Sequence, residues 1–422
     1  MTDIKLVVPD EGTISLDALE SRLARSLDGS REPFSEEVLS FASALSSLLF
    51  TDVTAKQYPE LRALGFFMRR ARLMEFRSHF SDLQSSESLL LPRGVVFHVP
   101  PRNVSSITIY SWLMSALVGN INIIRVSSSS SPELDTIIRL YNDLVESWPG
   151  PMRTNTLIIR FEHNDDVTRR LSALADVRVI WGGDDTVNRL RAIPLPPAAK
   201  EVTFPDRHSL AVISASRYSG AEPSERDRLT GRFYNDLFWF DQTACSSPRV
   251  LVWLGPETVC REASADFLQR LSSYITRSGY NAALGAELKK RAFSCAAILD
   301  QGVTSYQRFG NELTVLDLPK LETLTRAHCG GGLLFQHCTS DWDELVRFVA
   351  RRDQTLTYYG LSPGELSHFA RKLNGRGIDR IVPVGQALNF DYIWDGYDLL
   401  QEFTRRTHIV ADRHEDTYAH AK

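Results

Sequence analysis

From about residue 93 onward, short apolar segments alternate with helical segments, and this alternation restricts the fold more than any other feature of the 422-residue chain. Apolar strands separated by helices are typical of a parallel sheet that is covered on both faces. The sequence therefore predicts an α/β fold with a doubly wound parallel sheet. The strand candidates are residues 94–99, 121–126, 156–161, 177–180, 210–214, 250–254, 296–299 and 332–335.

These elements divide the chain into four regions. Residues 1–88 are predicted to be mostly helical, with one helix starting at Ser35 before an apolar stripe. Residues 89–205 are predicted to form a Rossmann-like cofactor-binding domain, and residues 206–385 a second α/β domain, the catalytic one. The segment 386–422 contains the strand candidate T-H-I-V, and we expect it to return to the cofactor domain or to bridge subunits.

One uncharged stretch is about as long as a membrane span. It runs from Asn103 to Ile124, and about 20 apolar residues suffice to cross a bilayer. Gly119, Asn120 and Asn122 interrupt it, and the part that follows is rich in β-branched residues. We therefore predict a buried helix followed by a buried strand, and no transmembrane segment.

Charge and cysteine content argue against several classes of protein. The formal net charge is −4, so the chain lacks the positive field that nucleic acid binding requires. The five cysteines form no C-x-x-C pair, and the histidines show no metal-ligand spacing. No secretory signal opens the sequence. We therefore expect a protein of the reducing cytoplasm that has no metal site and binds no nucleic acid.

Cys245 is the candidate nucleophile, in the segment D-Q-T-A-C-S-S-P. It follows an aromatic-rich helix and precedes the strand R-V-L-V-W, in a position where backbone N–H groups can stabilise a thiolate. Composition alone favours the alternative interpretation, a buried structural cysteine. That structural interpretation also applies to the other cysteines, Cys260, Cys295, Cys329 and Cys338.

Polar residues follow two neighbouring strands of the cofactor domain, at the sheet edge where ligands bind in doubly wound folds. Asn103 follows the first, and its amide could donate to an oxyanion, although a turn asparagine is the simpler interpretation. Arg125 lies near the end of the next strand, and Ser127 and Ser128 come after it. A guanidinium with two hydroxyls could hold a ribose 2′-phosphate.

A glycine turn follows a later strand of the same domain. Gly182 and Gly183 precede a helix that begins near Thr186, and backbone at such a point can approach a pyrophosphate. The chain has no G-x-G-x-x-G, so the glycines alone are a weak indication of dinucleotide binding.

Four ordered motifs together resemble the LuxC-type acyl-CoA reductases of the aldehyde dehydrogenase superfamily. They are P-P-R-N-V, G-N-I-N-I-I-R-V-S-S, W-G-G-D-D-T-V and D-Q-T-A-C-S-S-P, and the resemblance extends over about residues 90–412. It implies an aldehyde-dehydrogenase-like fold in which Cys245 matches the nucleophile and Asn103 the oxyanion-hole asparagine. By the same resemblance, Arg125 replaces the nucleotide-binding lysine, and Gly182 and Gly183 match the turn at the cofactor pyrophosphate.

Two departures from the aldehyde dehydrogenase pattern bear on the reaction. The glutamate of E-L-G-G, which activates water to hydrolyse the thioester, is missing from the comparable segment V-T-F-P-D-R-H-S. The segment A-H-C-G-G-G-L-L-F replaces E-I-F-G-P-V without its ribose-binding glutamate. A thioester protected from water persists until a hydride arrives. The first departure therefore favours a reductase, and the second leaves the ribose contacts open.

The resemblance implies NAD(P)H-dependent reduction of an activated fatty acyl group, an acyl-CoA or an acyl-protein thioester, to an aldehyde through a Cys245 thioester. Arg125 favours NADPH over NADH, because a guanidinium pairs well with a phosphate. The implied partners are an acyl-protein synthetase and further copies of the chain in a homo-oligomer. Two alternatives stay open: an acyl-phosphate reductase of the same superfamily, and a non-catalytic acyl-binding scaffold.

Overall fold

The computed structural model describes residues 3–29, 31–102, 104–128, 131–148 and 150–410. The chain folds into two compact units. Unit 1 comprises the chain up to Pro205 together with the residues from Phe390 onward, and unit 2 comprises Asp206–Asn389. Each unit is built on a mainly parallel sheet, so the predicted doubly wound α/β fold is confirmed.

Most elements of unit 1 lie in the first part of the chain, up to Pro205. Its strands here are β1 (Asp3–Val8), β2 (Gly12–Ser15), β3 (Ser88–Pro92), β4 (Val95–Val99), β5 (Ile121–Val126), β6 (Thr156–Arg160), β7 (Val177–Trp181) and β8 (Lys200–Phe204). Its helices here are α1 (Leu16–Leu27), α2 (Glu36–Thr51), α3 (Pro59–Phe67), α4 (Arg70–Asp82), α5 (Ser106–Leu117), α6 (Pro132–Glu146), α7 (Pro151–Thr154), α8 (Asp165–Ala173) and α9 (Asp184–Arg191).

The main sheet of unit 1 has the strand order β2-β1-β6-β5-β4-β7-β8. Strands β4 to β8 are parallel, whereas β1 is antiparallel to both β6 and β2. The carboxyl ends of β4, β5, β6 and β7 therefore lie at one edge. The helical interpretation of residues 1–88 missed β1 and β2, because periodicity does not distinguish a short apolar run in a strand from one in a buried helix.

The uncharged stretch of membrane length forms a buried helix and a buried strand, as predicted. All residues of α5 are buried, and Asn120 and Asn122 after it are buried too. The Asn120 Oδ1 accepts the Gly94 N–H at 3.0 Å, and Asn122 Oδ1 lies 3.0 Å from His98 Nε2. The two asparagines therefore satisfy polar groups inside the unit. No helix among the described residues has the length and apolar character needed to cross a bilayer.

Unit 2 is continuous in sequence. Its strands are β9 (His208–Ser214), β10 (Pro248–Leu254), β11 (Ser305–Phe309), β12 (Leu313–Asp317), β13 (Leu333–Thr339), β14 (Asp353–Tyr359) and β15 (Arg380–Pro383). Its helices are α10 (Ala215–Ser219), α11 (Pro223–Phe238), α12 (Glu257–Ser278), α13 (Leu284–Asp300), α14 (Trp342–Phe348) and α15 (Pro363–Leu373).

The sheet of unit 2 has the strand order β11-β12-β13-β10-β9-β14-β15, and β11 is antiparallel to β12 while the other pairs are parallel. The strand predicted at residues 296–299 is wrong, because these residues form the last turn of α13. Ala297 is 2% exposed and Leu299 is 84% exposed, a one-sided burial typical of a surface helix.

The last residues that the structure describes belong to unit 1. The last elements are β16 (Ile393–Trp394), β17 (Tyr397–Asp398), α16 (Leu399–Glu402) and β18 (Thr404–His408). The strand β18 pairs antiparallel with β3 of the same chain. Phe390 stacks on Tyr110 of α5 with 5.0 Å between ring centroids, and Leu400 and Phe403 are buried in the same core. This segment therefore completes the hydrophobic core of unit 1.

Candidate active site

Cys245 lies in the loop between α11 and β10 and is half-buried. The loop leaves α11 through Asp241 at φ +49° and Gln242 at φ +59°, two residues in the left-handed region of the backbone. The fully buried Gln242 amide donates to the carbonyls of Pro248 at 2.9 Å and Leu333 at 2.8 Å. Through these bonds, Gln242 fixes the Cys245 loop to the start of β10 and to β13.

A run of three glycines packs against this loop. Gly330, Gly331 and Gly332 have φ values of +70°, +67° and +79°, a conformation that residues with a Cβ adopt only rarely. The Gly331 N–H donates to the Asp241 carbonyl at 2.7 Å, and the Gly332 N–H donates to Gln242 Oε1 at 3.1 Å. The segment A-H-C-G-G-G-L-L-F is therefore part of the support of the Cys245 loop.

A buried lysine contacts the glycine run. The Nζ of Lys290 donates to the carbonyls of Asn311, Glu312 and Gly331, at 2.7, 2.8 and 2.6 Å. Burial lowers the pKa of Lys290 to about 8. The three carbonyls satisfy all three donors of the ammonium group.

Arg249 supplies positive charge next to Cys245. Burial lowers the pKa of Arg249, and the charges of Cys245, Asp206 and Cys329 oppose that effect. Its Nη1 donates to the Arg207 carbonyl at 3.1 Å. A cation near a half-buried cysteine is the environment in which thiolates act as nucleophiles.

Ser209 on β9 contacts the backbone of the candidate nucleophile. Its hydroxyl donates to the Cys245 carbonyl at 2.7 Å and accepts the Thr355 N–H at 3.2 Å. Ser209 is 0% exposed, so water does not compete for these bonds. The Cys245 loop is thereby connected to the centre of the sheet.

The remaining cysteines differ in their surroundings. Cys260 is buried with its thiol 3.3 Å from the Gly255 carbonyl, and burial raises the pKa of both Cys260 and Cys338. Burial also raises the pKa of the half-buried Cys329, against the charges of Lys289 and Lys290. Cys295 is exposed on α13, so the interpretation as a packed structural cysteine is wrong at this position.

In unit 1, Arg125 lies at the sheet edge formed by the carboxyl ends of the parallel strands. Its guanidinium lies 5.0 Å from the Phe161 ring centroid, and its Nη2 is 3.4 Å from His163 Nδ1. The Nη2 of Arg189 is 3.1 Å from the same nitrogen. The charges of Arg125, Arg189 and Arg102 lower the pKa of His163, with Arg125 contributing most. Three arginines therefore concentrate positive charge at this edge.

The glycine turn after β7 lies at the same edge. A Cβ at Gly182 would lie 3.2 Å from the Thr186 side chain, so close packing accounts for the glycine. Gly183 is the N-cap residue of α9, whose first turn carries Asp184 and Asp185. Those two carboxylates oppose a pyrophosphate at this helix end, although the helix dipole favours one. Gly182, Gly183 and Thr186 are therefore weaker candidates for phosphate contact than the arginines.

The structure places the predicted residues in two groups, each within its own unit. Ser127 and Ser128 follow β5 near Arg125, half-buried and exposed respectively. Asn103 lies outside the described residues, so its predicted role as an oxyanion donor stays a prediction. Cys245 lies in unit 2.

Sequence reasoning missed five residues of these surroundings. Gln242 lies within the segment D-Q-T-A-C-S-S-P and Arg249 follows it directly, so their proximity to Cys245 in the sequence was the available signal. The others come from distant segments that only the sheets bring together. They are Ser209, His163 and Arg189.

The profile of the acyl-CoA reductase (LuxC) family matches residues 68–406. A long-chain acyl-protein thioester reductase of Aliivibrio fischeri is 24% identical over 314 residues, which are 70% of this chain and 59% of that protein. The chain therefore spans about three fifths of the length of this curated relative.

Solved structures of aldehyde dehydrogenase type share the fold. A putative aldehyde dehydrogenase from Burkholderia cenocepacia superposes with a TM-score of 0.66 at 12% identity, over 97% of this chain and 94% of that one. PnpE in complex with nicotinamide adenine dinucleotide superposes with a TM-score of 0.66 at 11% identity, over 97% of this chain and 95% of that one. At these identities the similarity concerns the fold alone.

Proposed function

The chain belongs to the acyl-CoA reductase (LuxC) family, and we propose that it reduces an activated fatty acyl group to an aldehyde through a thioester on Cys245. One observation carries the proposal. Cys245 is a half-buried thiol in a loop that Gln242 and Ser209 hold to the sheet, and the charge of Arg249 acts on it. Fixed geometry and a neighbouring cation are what a cysteine nucleophile needs.

In the proposed acyl transfer, the Cys245 thiolate attacks the acyl carbonyl carbon, and the carbonyl π electrons move to oxygen. Collapse of the tetrahedral oxyanion forms the Cys245 thioester and expels the donor thiolate, which takes up a proton. The backbone N–H of Cys245 is the proposed oxyanion donor, and Asn103 is a second one on the resemblance alone. A nicotinamide cofactor, when bound, supplies the hydride that converts the thioester into the aldehyde. Cys245 then leaves as a thiolate, whose negative charge Arg249 stabilises.

The arginines of unit 1 fit a cofactor with an extra phosphate, which supports NADPH over NADH. The Nε of Arg125 is buried without a hydrogen-bond partner among the described residues. Such an atom is costly unless a ligand satisfies it. Burial lowers the pKa of Arg125, and the charges of Arg189 and Arg102 lower it further, so a doubly negative phosphate would relieve the repulsion among the three arginines. Ser127 and Ser128 would supply hydroxyls, and Gly182, Gly183 and Thr186 would lie toward the pyrophosphate.

The donor is proposed to be an acyl-protein thioester or an acyl-CoA. The similarity to acyl-protein thioester reductases supports the former, and an acyl-protein synthetase is then a proposed partner. An acyl phosphate is the alternative donor within the superfamily, and comparison of the three donors with one reductant separates them. Assembly into a homo-oligomer is part of the same proposal.

The proposal is tested by acylation of the protein with a fatty acyl thioester, followed by mass spectrometry and measurement of NADPH oxidation. Cys245→Ala should abolish both the acylated species and the aldehyde, because the nucleophile is gone. Cys295→Ala removes an exposed thiol far along the sequence and should behave like the wild type. The charges of two thiols, Cys245 and Cys329, act on Arg249. Cys329→Ala tests whether the second of them is the one that becomes acylated. Acylation that survives Cys245→Ala and disappears in Cys329→Ala would overturn the assignment.

A second measurement tests the direction of the reaction. The chain lacks the water-activating glutamate, so the thioester should release aldehyde in the presence of NADPH and very little fatty acid without it. Rapid formation of free acid from the acylated protein would contradict the reductase proposal. Asp206, the carboxylate whose charge acts on Arg249, would then be the first candidate for a general base.

A further inference from the structure

We propose that Ser209 is a positioning residue for Cys245, and that its hydroxyl sets the orientation of the peptide group that carries the nucleophile. The inference rests on the proposed role of Cys245. It follows from the position of Ser209 in the sheet. The pairings of β9 with its two neighbouring strands, β10 and β14, both shift register beside this residue.

On one side, β9 pairs with β10. Ser209 pairs with Pro248 and Leu210 pairs with Val250, so Arg249 is an extra residue in β10. An extra residue of this kind bulges the strand and redirects side chains, and bulges are frequent next to active sites. Here the bulged residue is the arginine whose charge acts on Cys245.

On the other side, β9 pairs with β14. One extra residue lies between Asp353 and Leu356 of β14, opposite Ser209. The Thr355 N–H at this irregularity donates to the Ser209 hydroxyl oxygen at 3.2 Å. The serine side chain therefore replaces the strand partner that a regular ladder would provide.

The two bonds of the hydroxyl fix its direction. A hydroxyl has one proton, and Ser209 donates it to the Cys245 carbonyl at 2.7 Å while Thr355 donates to its oxygen. Because the peptide bond is planar, holding this carbonyl fixes the plane between Cys245 and Ser246. The backbone dihedral ψ of Cys245 is then set by the sheet and not by the loop alone.

Ser247 provides a contrast within the same loop. It is 0% exposed, like Ser209, but its hydroxyl has no hydrogen-bond partner among the described residues. Ser247→Ala is therefore a matched control. It removes a buried hydroxyl that makes no hydrogen bond to the Cys245 backbone among the described residues.

The experiment compares single-turnover acylation of the full chain by a fatty acyl thioester of N-acetylcysteamine, followed by mass spectrometry. Ser209→Ala should slow acylation at Cys245 by roughly 10- to 100-fold, because misplacement of a reacting group by about 1 Å has effects of this size. Ser247→Ala should acylate at the wild-type rate. The pH midpoint for alkylation of Cys245 by iodoacetamide should stay the same in both variants, because no charge has changed.

An isosteric pair keeps the test decisive if the alanine variant does not fold. Ser209→Thr retains the hydroxyl and Ser209→Val replaces it by a methyl group of similar volume. Thr should acylate faster than Val by at least about tenfold. Equal rates for Thr and Val, or equal slowing by Ser209→Ala and Ser247→Ala, would overturn the role of Ser209. Absence of acylation at Cys245 in the wild type would instead overturn the proposed function, so the two failures are distinguishable.

Discussion

The buried carboxylate of Asp236 should make unit 2 less stable as the pH rises. Asp236 lies on α11 and is 1% exposed. Its two oxygens accept the N–H groups of Gly385 at 2.6 Å and Ala387 at 2.9 Å. Burial nevertheless dominates and raises the pKa of Asp236 to about 7, from 3.8. Replacement by Asn removes the titration and leaves one of the two N–H groups without an acceptor.

The size of the effect follows from the two pKa values. The folded-state pKa is raised, so the contribution of Asp236 is fully present below pH 3.8 and is lost as the pH rises to about 7. The full change is about 4 kcal/mol, at about 1.4 kcal/mol for each pKa unit. About 2–3 kcal/mol of it falls between pH 5 and pH 8.5, because the unfolded carboxyl is already mostly ionised at pH 5.

Urea denaturation at pH 5, 7 and 8.5, followed by circular dichroism, measures this effect. At pH 5 the wild type should exceed Asp236→Asn by about 1–3 kcal/mol in free energy of unfolding, since one buried N–H is left unsatisfied in the variant. By pH 8.5 that advantage should disappear or reverse. Asp227→Asn, the same change at a half-exposed side chain of the same helix, serves as the control. Wild-type and Asp236→Asn curves that stay parallel from pH 5 to 8.5 would refute the reasoning.

Two other substitutions test the arginine cluster and the support of the Cys245 loop. Arg125→Ala should raise the KM for NADPH by about tenfold or more, because it removes charge-assisted bonds worth about 1.5–3 kcal/mol, and should leave the KM for NADH almost unchanged. Arg169→Ala, at an exposed arginine of α8, is the control, and equal effects on both cofactors would contradict the phosphate assignment. Gln242→Ala should lower the melting temperature by about 5 °C or more, because three buried backbone groups lose their partners. Gln386→Ala, at an exposed glutamine of the same unit, is the control and should melt at the wild-type temperature. An unchanged melting temperature of Gln242→Ala would show that water replaces the lost bonds.

The regular part of the fold was predictable because its signal is local. Each buried parallel strand is an apolar run bounded by turn residues, and a helix as uniformly buried as α5 is equally visible. The errors came where the local signal is ambiguous. Residues 296–299 form an apolar run of strand length, yet they continue a helix that starts at Leu284. The strand β1 belongs to the sheet through its pairing with β6, about 150 residues away in the sequence, which no local pattern reveals.

The candidate site was predictable only in its motif residues. Cys245 and Arg125 stand in segments whose residue types already suggest their chemistry. No residue type or motif in the sequence indicates the proposed role of Ser209, because that role depends on register shifts in two different strand pairings. His163 and Arg189 come close to Arg125 because β5, β6 and β7 end at one edge of the sheet. Such contacts are properties of the tertiary fold.

The discontinuity of unit 1 has a consequence for how the protein is made on the ribosome. Phe390, Leu400 and Phe403 belong to the core of unit 1, and β18 is the partner of β3. All of them are translated only after residues 206–389, a delay on the order of 10–40 s at about 5–20 residues per second. During that interval, nascent unit 1 exposes the apolar surface that these side chains later cover, while unit 2 can already fold. Chaperone binding to nascent chains should therefore concentrate on the first unit and end when residues 390–408 have emerged.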